Sequence, residues 1–132
     1  MTALRATLLA EMHRAIDAAA SDGLAMLQLR GIEPAYPPGV ELSDAELTSL
    51  ASLTLTVLQR SAIEKVLRDV ASRPLFQLLS LVDGVADPAR WDGPWLGAHI
   101  TEATEESSEG AMWHDDFFES YWAYLESSAP DV

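Results

Sequence analysis

The chain contains no cysteine. That excludes disulfides, zinc–thiolate sites and a cysteine nucleophile. Positive charge is scarce: 8 Lys and Arg stand against 21 Asp and Glu, a net charge of -13. Such a polyanion disfavours nucleic-acid phosphates and anionic lipid surfaces, and favours a basic partner. Long hydrophobic runs are missing too. Arg, Gln, Thr or Asp interrupts each apolar stretch well short of the roughly 20 residues needed to cross a bilayer. The N-terminus has neither the unbroken apolar core nor the small-residue cleavage site of a signal peptide. The expectation is a cytoplasmic chain without a membrane span. No GxGxxG, P-loop, HExxH, GxSxG or EF-hand pattern occurs, which counts against the familiar enzyme classes.

What remains is a chain of 132 residues with 48% apolar content. This is a common size for one domain, large enough to build a core without staples. Charge is unevenly spread. Residues 1–90 hold 8 basic and 11 acidic residues, net -3, whereas residues 91–132 hold ten acids and no Lys or Arg.

The pattern predicts one mainly α domain, a compact bundle of about four helices with a Trp/Pro-rich irregular segment before the last. Helix one is expected over 2–30, with Thr2 as N-cap. Its stripe is Leu4, Leu8, Met12, Ile16, Ala20, Leu24 and Leu27. Gly31 stands where a left-handed C′ glycine belongs, Ile32 and Leu27 can close a Schellman contact, and Pro34 blocks continuation. Gly23 is the position where this helix would kink or break. Residues 33–40 hold three prolines and a glycine and read as a connector. Ser43-Asp44-Ala45-Glu46 is a capping box, with Leu42 and Leu47 as its staple. It opens helix two over 43–72, whose broad apolar face includes Val57, Leu58, Ile63, Val66, Leu67 and Val70. Glu64–Arg68 and Lys65–Asp69 are expected ion pairs on its wet side. The alternating run Leu53–Val57 would read as a strand in isolation, but is assigned to this helix.

Pro74 is read as the first residue of helix three, over 74–83, ended by Gly84. Residues 85–110 are expected to be irregular and acidic, with 95–101 as a possible lone strand. The last helix is expected over 111–127. Trp113, Phe117, Tyr121 and Tyr124 or Leu125 form its ladder, flanked by Phe118 and Trp122. These aromatics exceed one helical stripe, so some rings should reach a surface, a groove or another subunit.

Two constellations bear on chemistry. Asp115 and Glu119 are i,i+4 on that last helix and are candidate ligands for Mg²⁺ or Mn²⁺, near His114, Asp116, His99, Glu102, Glu105 and Glu106. A solvated charge pattern is the competing account, and it expects no metal or other cofactor. On helix one, Asp17 stands four residues after His13 and could orient its imidazole. No nucleophile accompanies the pair.

The reading of function is a non-catalytic, acidic interaction protein. It would bind a basic partner protein or form a homo-oligomer, using Trp91, Trp95, Trp113, Phe118, Tyr121 and Trp122. A small bacterial inhibitor or immunity-type protein has this profile. A carboxylate-rich, metal-dependent enzyme or ligand-binding domain is the alternative.

Overall fold

The computed structural model describes residues 3–100. The expected aromatic helix over 111–127 therefore lies outside the described residues. Within them are three helices and no strand: α1 (Ala3–Leu27), α2 (Asp44–Ala51) and α3 (Val57–Val82). The chain is mainly helical there, as its periodicity predicts. No helix among the described residues is long and apolar enough to cross a membrane.

α1 and α3 are each about 38 Å long at 1.5 Å per residue. They pack against one another as an antiparallel hairpin. Leu4 of α1 lies level with Val82 of α3, Ile16 with Ser72, and Gly23 with Leu67. The whole predicted α1 stripe is buried or half-buried. Gly23 does not break α1. A Cβ there would come within 3.1 Å of a Leu67 methyl, so the missing side chain lets the helices approach. On α3 the seam is Ile63, Leu67, Ala71, Leu75 and Leu79, spaced four apart and all half-buried.

α1 ends earlier than expected, and Gly31 is not its C′ residue. Arg30 N–H donates to the Ala25 carbonyl at 2.9 Å, and Leu29 N–H to the Met26 carbonyl at 3.1 Å. This is a Schellman motif with Leu29 at C′, where φ is +52°. A non-glycine residue there costs on the order of 1 kcal/mol. The connector that follows contains a cis Tyr36–Pro37 bond.

The expected helix over 43–72 is two helices. The Ser43 capping box is present, with Glu46 N–H donating to Ser43 Oγ at 3.2 Å and Ser43 N–H to the Glu46 carboxylate at 2.7 Å. α2 stops at Ala51, and residues 53–56 are not helical. Thr56 then caps α3 with a second box: Gln59 N–H donates to Thr56 Oγ1 at 3.1 Å, and Thr56 N–H to Gln59 Oε1 at 2.9 Å. Nor does Pro74 start a helix, because α3 runs through it to Val82. Proline leaves the Val70 carbonyl without its i+4 donor, a loss of about 3 kcal/mol in a typical helix interior. Leu75, Leu79 and Val82 beyond it still meet α1, and that burial holds the two segments in line.

Of the expected ion pairs, Glu64–Arg68 forms at 3.2 Å. Asp69 pairs with Arg73 at 2.7 Å rather than with Lys65. Arg68 also reaches across the hairpin to Asp17 at 2.7 Å.

Two outcomes follow. Pro74→Ala restores the missing donor and raises unfolding stability by about 2 kcal/mol, read as a higher urea midpoint at unchanged m. In the Ser43 box, the backbone hydrogen bond from Ser43 holds the Glu46 carboxyl below its usual pKa. Its contribution is complete above the ordinary glutamate range, about pH 4.3, and is lost as pH falls through the depressed value. Far-UV circular dichroism of Glu46→Gln should lack that part of the acid-induced helix loss, since the amide keeps the bond without titrating.

Candidate functional site

A hairpin of two helices encloses no interior. Among the described residues the one fully buried side chain is Ala20. Several large apolar groups on α3 that the sequence places on its inner face are in water: Val57 and Leu58 are 82% exposed, Val66 61% and Val70 54%. The buried face is narrower than predicted because, among the described residues, only α1 packs along it. Phe76, 72% exposed, lies on another flank.

That second flank carries a groove. Its apolar part, about 450 Å³, is floored by Leu9, Met12, Ile16, Leu75, Phe76 and Leu79. At one end, sharing Leu9, Met12 and Leu79, it continues past Leu4 and Leu8 to Ala98, His99 and Ile100. At the other end, sharing His13 and Ile16, it opens between Asp17, Lys65, Arg68 and Asp69. The result is one channel along the hairpin, greasy in the middle and charged at one end. Val66 and Val70 line no part of it.

The Trp/Pro-rich turn closes the end of the hairpin. Gly84 has φ of +70° and forms a second Schellman motif, with Val85 N–H donating to the Ser80 carbonyl at 3.0 Å and Gly84 N–H to the Leu81 carbonyl at 3.1 Å. The chain then folds back over the last turn of α3. Trp95 Nε1 donates to the Leu81 carbonyl at 2.6 Å, and Ala98 N–H to the Val82 carbonyl at 2.9 Å. Carbonyls of a helix C-terminus are thereby satisfied by residues more than a dozen positions on. Gly97 permits the approach. Its φ is +85°, and a Cβ there would collide with the Val82 carbonyl oxygen. Trp91 stands edge-on to Trp95 at 5.3 Å and 76°, and its own Nε1 donates to the Pro94 carbonyl at 3.3 Å. No strand forms over the described part of 95–101.

The candidate residues are thus distributed unevenly. Trp95 is half-buried and caps α3, while Trp91 is 55% exposed at its edge. Trp113, Phe118, Tyr121 and Trp122, and the metal candidates Asp115 and Glu119, lie outside the described residues. Asp17 does not orient His13, because its carboxylate accepts from Arg68 Nε at 2.7 Å. Among the described residues no three His, Asp or Glu side chains gather as a metal site would need. Glu11 and Arg14 form a local pair at 2.7 Å, which holds the Glu11 carboxyl below and the Arg14 guanidinium above its usual range. That pair is exposed, and it is a surface contact rather than a reactive one.

Sequence reasoning missed two features that matter here. The cap made by Trp95 has no local signature. The groove needed the register of α1 on α3. A third, the start of α3, was open to detection, since Thr56-x-x-Gln59 satisfies the same capping rule as Ser43-x-x-Glu46.

Trp95→Phe should cost about 1 kcal/mol, because the Leu81 carbonyl loses the shorter of its bonds and keeps the one from Gly84 N–H. Trp91→Phe should cost less than about 0.5 kcal/mol, and Gly97→Ala more than either. Urea titration of the three variants checks the order. No protein-family model matches this chain, nor does any curated protein or solved structure.

Proposed function

We propose that the protein is a non-catalytic interaction protein that works by association, binding a basic partner protein or a second copy of itself through apolar and aromatic surface. One observation carries this reading. The hairpin leaves Leu58, Val66 and Val70 in water, at intervals of four or eight residues along one helix, where they serve no internal packing. Isolated exposed apolar residues are ordinary on a monomer, but a row of them on one helix suits an interface. The excess of acid after Arg90 would speed encounter with a cationic partner, and buried rings would then slow its release.

The finer architecture that accompanies this reading is the four-helix one. Residues 111–127 form the last helix, reached through the Trp/Pro-rich irregular segment, and bring Trp113, Phe118, Tyr121 and Trp122 to the same domain. Trp91, exposed beside the α3 cap, adds a ring to that surface.

Light scattering coupled to size exclusion tests the association directly. Mass should rise with concentration, or on addition of a basic protein that co-purifies in low salt and is lost in high salt. Val66→Asp with Val70→Asp should abolish self-association while leaving helix content unchanged. A strictly monomeric chain with which no basic protein co-purifies contradicts the proposal.

A further inference from the structure

We infer that the exposed row on α3 is the contact between two copies of this chain, which meet α3 on α3, antiparallel, about a two-fold axis between Val66 and Val70. This rests on the association reading above and selects one of its two partners.

The row is longer than its most exposed members suggest. The groove is lined by residues one position after members of the seam: Leu9, His13 and Asp17 on α1, and Arg68, Ser72 and Phe76 on α3. Residues one position before seam members therefore lie on the opposite flank. On α3 these are Ala62, Val66, Val70, Pro74 and Leu78, and Leu58 continues the same spacing of four. All six are apolar and exposed, over about 30 Å of helix. On α1 the same flank carries Ala15 and Ala19, also exposed, whose methyl groups are too short to shield the row. α1 itself already packs along the neighbouring ridge from Ile63 to Leu79, so a row of this spacing can be followed by a helix.

The order of sizes along the row suits a second copy. An isologous contact puts the same patch on both sides and must match itself under a two-fold rotation. About an axis between Val66 and Val70, Val66 meets Val70 of the second copy. Ala62 then meets Pro74, and Leu58 meets Leu78. Valine is set against valine, leucine against leucine, and the compact pair falls between them.

Charge argues against a cationic partner on this face and sets the direction. α3 holds Arg60, Lys65, Arg68 and Arg73 against Glu64 and Asp69, net +2, in a chain whose acid excess falls mainly after Arg90. The file bordering the row is Lys65, Asp69 and Arg73, net +1, so a basic protein would gain nothing there. Arg73 pairs with its own Asp69, whereas Lys65 forms no ion pair among the described residues. Antiparallel packing brings Lys65 beside Asp69 of the second copy, twice by symmetry. Parallel packing would set Lys65 against Lys65 and Asp69 against Asp69, which is unfavourable.

A cysteine-free chain makes the test clean, because every thiol is an introduced one. Full-length chains carrying Ala62→Cys and full-length chains carrying Pro74→Cys are mixed and treated with a short bis-maleimide. The mixture should form a cross-linked dimer several-fold faster than either variant alone, since two copies of the same site lie about 18 Å apart along an antiparallel pair. Leu58→Cys with Leu78→Cys is an independent pair if a first variant fails to fold. Cross-linking of Ala62→Cys alone at the rate of the mixture overturns the inference. So does the absence of any dimer product while a basic protein still co-purifies or mass still rises with concentration, and the association reading then stands without it. No dimer product from a strictly monomeric chain that retains no basic protein removes both.

Discussion

Everything in this fold depends on a packing constraint: two helices in contact share a seam, not an interior. Each helix presents a stripe, and one neighbour covers only part of it. The seam here is well made. Gly23 admits Leu67, Ala20 is fully enclosed, and Arg68 ties the flank to Asp17. Even so, most large apolar side chains on α1 and α3 retain contact with water. A soluble domain of this size normally buries roughly two-thirds of its unfolded surface. The hairpin alone falls short of that arrangement, and this shortfall makes its two open flanks the informative parts of the molecule.

The flanks differ in kind. One is a row on α3, with Val66 and Val70 exposed. The other is concave, with an apolar floor and a charged end. The Trp/Pro-rich turn connects the two halves of the problem. It caps α3 through Trp95 and Ala98, and in doing so fixes where Ile100 leaves the hairpin. A loop that could be taken for mere linkage thereby sets the launch point of everything downstream.

How much of this was legible in the residues varies with the range of the interaction. Signals confined to one turn were readable: the Ser43–Glu46 box, Gly84 as the end of α3, and the α1 stripe. The Thr56–Gln59 box was equally local, but the helical period around it masked it and merged two helices into one. Leu29 takes the left-handed position where the glycine rule points to Gly31, and nothing in the structure explains why the helix closes two residues early. Pro74 shows the opposite balance. Its local preference is to begin a helix, yet the side chains after it meet α1 in the same register as those before it, and burial prevails. The Asp17–Arg68 pair and the Trp95 cap span 51 and 14 positions, separations at which spacing rules carry no information. Of the candidate site, the exposed position of Trp91 and the structural duty of Trp95 are visible. The remaining candidates lie outside the described residues.

The central claim is that the apolar row Leu58, Val66 and Val70, exposed on α3, is an association surface. Hydroxyl-radical footprinting of Leu58 as protein concentration rises, or as a basic protein is added, reads this most directly. The account predicts that its labelling falls several-fold on association. Labelling that stays at the rate of an open side chain under both conditions would contradict it.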